Sequence, residues 1–142
     1  MCIMEYKILN DLNEDIIALR HETFVLGRGV PPEVEIDGRD SEHMHFCIYD
    51  GEVLVAYLRA EDLGGMLHVG RVAVNAEKRK NGYGRLLFDW VYEYAGKSDI
   101  AYIEVSAVKT AQGFYEKIGF VSEGNYYLET GVPHIYMKKV IK

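Results

Sequence analysis

The sequence predicts one mixed α/β domain, and three observations support this prediction. Its 142 residues fit a single domain, since domains commonly hold roughly 100–200 residues. An Asp50-Gly51 pair lies between two strand-like runs, which is a strong signal for a β-hairpin. Later in the chain, segments with helical spacing alternate with strand-like runs. Helices between strands imply a crossover and some parallel pairing, because parallel neighbours need a long connection. The predicted order is β-α-βββ-α-β-α-ββ in a single domain over residues 1–142.

The first elements are a short strand and one amphipathic helix. Residues 6–9 form an apolar run that ends at Asn10-Asp11, a pair that can cap a helix. Apolar residues then recur about every 3.6 positions, which predicts a helix over residues 11–26. Glycines and Pro31-Pro32 end this helix, and a loop rich in Glu and Asp follows through residue 42.

Three consecutive strands come next. The first two cover residues 45–49 and 53–60, on either side of Asp50-Gly51. A second turn at residues 63–65 leads into a third strand over residues 66–74. Short turns favour antiparallel pairing of these three strands.

The rest of the chain returns to helical spacing and then to strands. Apolar residues at helical spacing predict a helix over residues 83–95, with Gly96 as a C-terminal cap. The remaining predicted elements are a strand over 100–105, a shorter helix over 107–118 closed by Gly119, and strands over 120–128 and 135–140.

Composition and charge exclude several classes of protein. The chain has 49% hydrophobic and 27% charged residues, which is typical of globular proteins rather than disordered ones. Its formal net charge of −6 would repel a phosphate backbone, so no nucleic-acid partner is expected. Cys2 and Cys47 lie far apart and match no metal-ligand spacing, as expected for incidental thiols in a reducing compartment. With no secretory signal and no run of ~18 apolar residues, the predicted location is cytoplasmic and no membrane partner is expected.

One short segment carries most of the functional information. Residues 79–85 read Arg-Lys-Asn-Gly-Tyr-Gly-Arg, between a predicted strand and a predicted helix. Helix N-termini bind anions, and glycines at 82 and 84 let a phosphate approach the backbone. Together with Lys78, this segment places four cations around the helix start. The alternative is a simple turn beside a solvated basic face, since neither a third glycine at the dinucleotide spacing nor a P-loop motif is present. The helix start, the glycines and the cations together predict a site for a pyrophosphate-containing cofactor in a protein that is neither a Rossmann nor a P-loop protein.

Two motifs in this sequence resemble those of one enzyme family. Arg79-x-x-Gly82-x-Gly84 resembles the R/Q-x-x-G-x-G/A acetyl-coenzyme A motif of the GNAT superfamily of N-acetyltransferases. The segment Phe114–Phe120 is similar to that family's F-Y-E-K-x-G-F signature. The motifs occur in the expected order, and the predicted elements match the GNAT fold across nearly the whole chain.

A third stretch resembles one branch of this family. Phe24-Val25, followed by Val30-Pro31-Pro32-x-x-Glu35-x-Asp37, is similar to the pattern of a small bacterial branch with ElaA-like and YjcF-like proteins. The sequence departs from that pattern at Gly27-Arg28, where the branch has Glu-Gln.

The resemblance implies an N-acetyltransferase that moves an acetyl group from acetyl-coenzyme A to a primary amine, by direct attack in a ternary complex and without a metal. The acceptor would be a small-molecule amine or a protein amino group. The resemblance also implies that residues 71–74 splay from the neighbouring strand over 101–105, leaving backbone groups free for the cofactor. The implied cofactor-binding residues are Val72, Ala73, Val74, Arg79, Lys80, Gly82, Tyr83, Gly84 and Arg85.

Two side chains are candidates for proton transfer. By resemblance, Tyr115 is the general acid for the departing thiolate, and its alternative role is core packing. His134 is the candidate general base, because histidine titrates near neutrality and the branch places a histidine on the loop into its last strand. Its alternative is a histidine on a surface loop. An enzyme nucleophile is not needed, so Cys47 is expected to be structural.

Other features leave alternatives open. His45 and His68 lie in strand runs and are expected to pack or form hydrogen bonds, and we do not expect zinc at His43 and His45. The acidic segment over residues 33–42 is either a solvated loop or part of an acceptor cleft that attracts a cationic amine. Tyr126-Tyr127 could form the patch of a homodimer. The alternative function is a non-catalytic acyl-coenzyme A-binding regulatory module, and a redox or metal-binding protein is disfavoured by the sparse cysteines.

Overall fold

The secondary structure follows the predicted order, which confirms the mixed α/β fold class. The computed structural model describes residues 3–79 and 81–142. The strands and α-helices are β1 (Met4–Leu9), α1 (Glu14–Arg20), α2 (Pro32–Glu35), β2 (Met44–Asp50), β3 (Val53–Asp62), β4 (Met66–Val74), α3 (Tyr83–Gly96), β5 (Tyr102–Val108), α4 (Gln112–Lys117), β6 (Val121–Glu129) and β7 (Val132–Val140).

The first helix is shorter and less regular than its periodicity suggests. It begins after Asn13, whose side chain accepts a hydrogen bond of 2.8 Å from the backbone N–H of Ile16. The α-helix then continues as a π-helix over His21–Leu26, and the helical conformation extends to residue 28, two residues beyond the predicted end. The acidic segment was expected to be a loop, but it contains the single turn α2 and a 3₁₀ turn at Asp40–Glu42.

The chain divides into two compact units, and the first consists of Met1–Glu61 and Arg71–Asp89. In this unit β1 pairs with β2, and β2 with β3, both antiparallel. The β2–β3 hairpin turns at the predicted Asp50-Gly51 pair, where Gly51 has a φ of +62° that favours glycine. Side chains from α1, the π-helix and the strands form an apolar core that includes Ile16, Phe24 and Tyr57.

The second unit consists of Asp62–Gly70 and Trp90–Lys142. Here the first part of β4 pairs parallel with β5, and β5 and β6 each pair antiparallel with β7. The turn between β6 and β7 contains Thr130 and Gly131, with φ values of +49° and +75° that match a two-residue hairpin turn. Strand β4 runs through both units, and the order of strands in the sheet is β1-β2-β3-β4-β5-β7-β6.

Across the described ranges, no helix is both long and apolar enough to cross a lipid bilayer. The cytoplasmic location, the homodimer and the single-domain boundaries at residues 1–142 stay predictions.

Candidate functional site

Strand β4 contains a backbone irregularity near its middle. Its described parallel ladder with β5 runs from Met66 opposite Tyr102 to Val69 opposite Val105, whereas β4 itself continues to Val74. Arg71 follows the end of this ladder with a φ of +54°, a left-handed conformation that is uncommon for residues with a Cβ. The departure of residues 71–74 from β5 stays a prediction.

The loop after β4 is held by local hydrogen bonds. Asn75 caps a 3₁₀ turn over Ala76–Lys78 by accepting a bond of 3.0 Å from the N–H of Glu77. Arg79 donates from Nε to the carbonyl oxygen of Val74 at 3.3 Å, and Asn81 donates from Nδ2 to that of Lys78 at 3.1 Å. Lys80, a predicted cofactor-binding residue, lies outside the described residues.

Gly82 forms the entry to helix α3. Its φ of +78° favours glycine, and its carbonyl oxygen accepts the helical hydrogen bond of 3.0 Å from the N–H of Leu86. The helix begins at Tyr83, so the amides of Tyr83, Gly84 and Arg85 belong to the first turn, which has no acceptors for them within the helix. Such amides bind anions. A Cβ added at Gly82 would meet no atom within 4 Å, so glycine is needed there for its backbone conformation rather than for space within the protein.

The side chains around this helix start are basic and accessible. Arg79 and Arg85 are exposed and Lys78 is half-buried. Arg85 lies 3.5 Å from Asp89, an exposed pair that leaves its guanidinium open to other anions. Tyr83 donates from its hydroxyl to Asp50 Oδ2 at 3.0 Å, which ties the first turn of the helix to β2. Backbone donors and cations therefore fit a pyrophosphate group.

Tyr115, on helix α4 of the second unit, is 7% exposed. Its ring makes edge-to-face contacts with Phe114 and Phe120, at centroid distances of 5.3 and 5.4 Å. These are core-packing contacts, and the general-acid role stays a prediction. Glu116 and Lys117 lie beside it on the solvent-exposed side of the helix.

His134 belongs to a polar cluster in the second unit. Nδ1 of His134 lies 2.7 Å from the carbonyl oxygen of Val132 and donates a hydrogen bond to it. In the neutral imidazole the other ring nitrogen, Nε2, therefore carries the lone pair that can accept a proton. Nε2 lies 3.4 Å from Glu129 Oε2, and Tyr127 stacks on the imidazole with a centroid distance of 6.3 Å. Ser106 bonds both the Tyr127 hydroxyl and, at 3.2 Å, Glu129 Oε1. His134 is only 7% exposed, so it is not a free histidine on a surface loop.

The sequence reasoning did not identify Ser106, Tyr127 or Glu129 as partners of His134. The available signal was the hairpin: once its turn is placed at Thr130-Gly131, antiparallel register brings Tyr127 opposite His134. Tyr126, the other half of the proposed dimer patch, donates from its hydroxyl to Gln112 Oε1 at 2.6 Å.

Two carboxylates of the acidic segment, Glu35 and Asp40, are buried in the first unit, so the segment is not simply a solvated loop. Its place at an acceptor cleft stays a prediction. We call the ion-paired group that contains Glu35 and Asp40 the arginine–carboxylate cluster; its members are Arg20, Glu35, Asp37, Asp40, Arg59 and Arg71. Arg20 is fully buried and donates to Glu35 Oε2 at 2.8 Å and to Asp40 Oδ1 at 2.6 Å. Arg59 donates to Asp40 Oδ1 at 3.1 Å and to Asp37 Oδ2 at 2.5 Å. These carboxylates are therefore paired with arginines. The exposed Glu42 also pairs with Arg39, at 3.5 Å.

The pairing in this cluster keeps its acids ionised. Hydrogen bonding from Arg59 holds the pKa of Asp37 well below its usual range, against the effect of burial. Burial opposes ionisation of Asp40, but hydrogen bonds from Arg20 and Arg59 outweigh it and lower the pKa of that carboxyl. Burial likewise disfavours the charge on Arg20, and its bonds to Glu35 and Asp40 more than compensate, so its pKa is raised.

His45 and His68 form hydrogen bonds, as predicted, and Cys47 is buried. His45 is fully buried between the Tyr57 hydroxyl, 2.6 Å from Nδ1, and the Asp40 carbonyl oxygen, 2.8 Å from Nε2. Half-exposed His68 bonds Glu104 at 2.6 Å. Burial raises the pKa of the Cys47 thiol to about 12, so it is not a thiolate at neutral pH. Within residues 3–79 and 81–142, no group of three or more His, Cys, Asp or Glu could hold a metal ion.

Comparison with known proteins identifies the family of this chain. The model of the acetyltransferase (GNAT) domain matches residues 11–141. The uncharacterized N-acetyltransferase YjcF of Bacillus subtilis is 31% identical over 127 residues, which cover 89% of this chain and 91% of that protein.

Two solved structures share the fold over nearly the whole chain. Escherichia coli ElaA is 26% identical with a TM-score of 0.82, covering 96% of this chain and 99% of that one. An acyl-CoA N-acyltransferase from Pseudomonas aeruginosa is 28% identical with a TM-score of 0.83, covering 97% of this chain and all of that one. The chain belongs to the GNAT acetyltransferase family, in its ElaA/YjcF branch, and is an acyltransferase.

Proposed function

We propose that this enzyme transfers an acetyl group from acetyl-coenzyme A to a primary amine. The observation that carries the proposal lies in the first unit, where Arg71 gives β4 a left-handed backbone and a left-handed Gly82 opens helix α3 among basic side chains. Backbone amides and carbonyls of β4 would suit the two amide groups of pantetheine, and a basic helix start suits a pyrophosphate. The related Pseudomonas enzyme is named for acyl-CoA.

The cofactor would be held mainly by backbone groups. Val72, Ala73 and Val74 offer their amides and carbonyls to pantetheine, and one of these N–H groups polarises the thioester carbonyl. The amides of Gly82, Tyr83, Gly84 and Arg85, with the side chains of Arg79 and Arg85, hold the pyrophosphate. Lys80 is included by its position in the motif alone. When bound, acetyl-coenzyme A supplies an acetyl group activated as a thioester.

Two protons move during the proposed transfer. The amine nitrogen forms a bond to the acetyl carbon, and the carbon–sulfur bond breaks. His134 takes the amine proton on Nε2, and the nearby Glu129 carboxylate stabilises the resulting imidazolium. Tyr115 gives its hydroxyl proton to the departing sulfur. Positioning of the reactants supplies the larger part of the rate, so no covalent enzyme intermediate is required.

The His134 role predicts the effect of His134→Gln. We expect kcat/KM for the amine to fall about 100-fold near pH 7, because no base takes the amine proton. The loss should shrink at high pH, where the free amine is already neutral. The matched control is His68→Gln, which alters another paired histidine in the same unit. Equal losses in both variants, or a loss independent of pH, would remove His134 from the mechanism.

The acetyl transfer itself is tested by following thiol release from acetyl-coenzyme A. Amines, polyamines, amino sugars and peptides with free amino groups are offered as acceptors, and coenzyme A binding is measured separately by calorimetry. We expect micromolar binding and release that depends on an amine. Binding without release for any acceptor would favour the regulatory module instead, and no binding would overturn the cofactor assignment.

A further inference from the structure

We propose that Arg71 is a positioning residue that holds the cofactor-binding half of β4 in place through a tether to helix α2. This inference rests on the proposed function, because it concerns the amides of Val72, Ala73 and Val74. The inference gives the arginine–carboxylate cluster a role in cofactor binding, in addition to its ion pairs.

The side chain of Arg71 is anchored at several points on α2. Its Nε donates to Glu35 Oε2 at 2.7 Å, and its Nη2 donates to the carbonyl oxygens of Glu35 at 2.9 Å and Val34 at 3.3 Å. Asp37 adds an ion pair at 3.6 Å. Two backbone carbonyls and two carboxylates therefore fix the orientation of one guanidinium.

The anchor is itself immobile. Glu35 is 2% exposed, and Arg20 donates to both its carboxylate and its carbonyl oxygen. Helix α2, which contains Glu35, starts at Pro32, and the proline ring restricts φ of that residue. The tether thus connects β4 to a rigid, buried group rather than to a mobile loop.

The backbone of Arg71 needs such a tether. Among the described non-glycine residues, only Arg71 and Thr130 have positive φ, and Thr130 lies in a hairpin turn. Arg71 instead lies inside a strand, where this conformation is disfavoured for a residue with a Cβ. A left-handed residue within a strand changes the local direction of the chain. Without the tether, β4 would relax towards regular extended backbone and lose the arrangement of the following amides.

The test compares two substitutions of the same residue. Arg71→Ala removes the tether and keeps the Cβ that disfavours positive φ. Arg71→Gly removes the tether but adopts positive φ without strain. We expect the dissociation constant for coenzyme A, measured by calorimetry, to rise about tenfold in Arg71→Ala and to stay within about threefold of wild type in Arg71→Gly.

Both variants should fold, because Glu35 keeps its hydrogen bonds from Arg20. Thermal unfolding checks this point. The matched control is Arg39→Ala, which removes an exposed arginine paired with Glu61 and should leave the dissociation constant unchanged.

Each remaining outcome overturns the inference. Equal weakening in both Arg71 variants would mean that the guanidinium contacts the cofactor directly. Unchanged affinity in both, with lower thermal stability, would mean that Arg71 only stabilises the fold. A wild-type chain that does not bind coenzyme A would overturn the proposed function instead, so the two failures are distinguishable.

Discussion

Replacing Tyr115 by Phe should lower kcat about 100-fold while leaving KM for acetyl-coenzyme A almost unchanged. The phenol is proposed to protonate the departing thiolate, a contribution made in the transition state and absent from cofactor binding. Phe keeps the ring and therefore the edge-to-face contacts with Phe114 and Phe120. The measurement is steady-state thiol release with the best acceptor from the amine panel.

Tyr92→Phe is the matched control for this substitution. Tyr92 also lies in the second unit, and its hydroxyl donates to the carbonyl oxygen of Ile118 at 2.9 Å. Loss of this hydrogen bond should lower the free energy of unfolding by about 1 kcal/mol and leave kcat close to wild type. If Tyr115→Phe leaves kcat within about threefold of wild type, Tyr115 is a core residue and another group protonates the thiolate.

Arg20→Leu should cost about 3 kcal/mol in the free energy of unfolding near pH 7. Removing the buried arginine leaves negatively charged carboxylates in the protein interior with fewer cationic partners. This lowers the free energy of unfolding far more than the loss of a surface ion pair does. Glu35 and Asp40 would keep one arginine each, Arg71 and Arg59, so the loss should stay below that of a fully orphaned charge. Chemical denaturation monitored by fluorescence measures the difference.

The pH dependence of this difference provides an independent check. The folded pKa of Asp40 is lowered, with hydrogen bonds from Arg20 and Arg59 outweighing the effect of burial. This stabilisation is therefore complete above the unfolded pKa, near 3.9, and is lost as pH falls through the folded pKa. The gap between wild type and Arg20→Leu should narrow below about pH 4. Arg39→Leu, at an exposed pair, should cost less than about 1 kcal/mol throughout. A pH-independent gap, or one under about 1 kcal/mol at pH 7, would contradict the assigned ion pairing.

Local sequence signals predicted most of the secondary structure. The Asp50-Gly51 pair placed the β2–β3 hairpin, because its turn needs a left-handed glycine. Apolar residues at helical spacing after the glycine-rich segment placed the start of α3 at Tyr83. The acidic segment was the main failure, since the side chains that bury Glu35 and Asp40 come from Arg20 and Arg59, remote in sequence.

The candidate site likewise has features that the sequence predicts and features that depend on tertiary structure. The sequence alone determined the family, because two short motifs carry glycines and cations whose roles depend on nearby backbone. It also singled out Tyr115 and His134, whose functions stay predictions. Only the tertiary structure decided which groups surround His134, and that Glu35 and Asp40 of the acidic segment are buried and paired with arginines.

The physical reason is the range of each interaction. A turn, a cap or a helix N-terminus is set by residues a few positions apart, so it can be recognised in the sequence. Whether an acid is solvated or ion-paired depends on side chains that only folding brings together. Arg71 illustrates the limit: it was part of a strand in the sequence, and its left-handed backbone and tether to α2 appeared only in three dimensions.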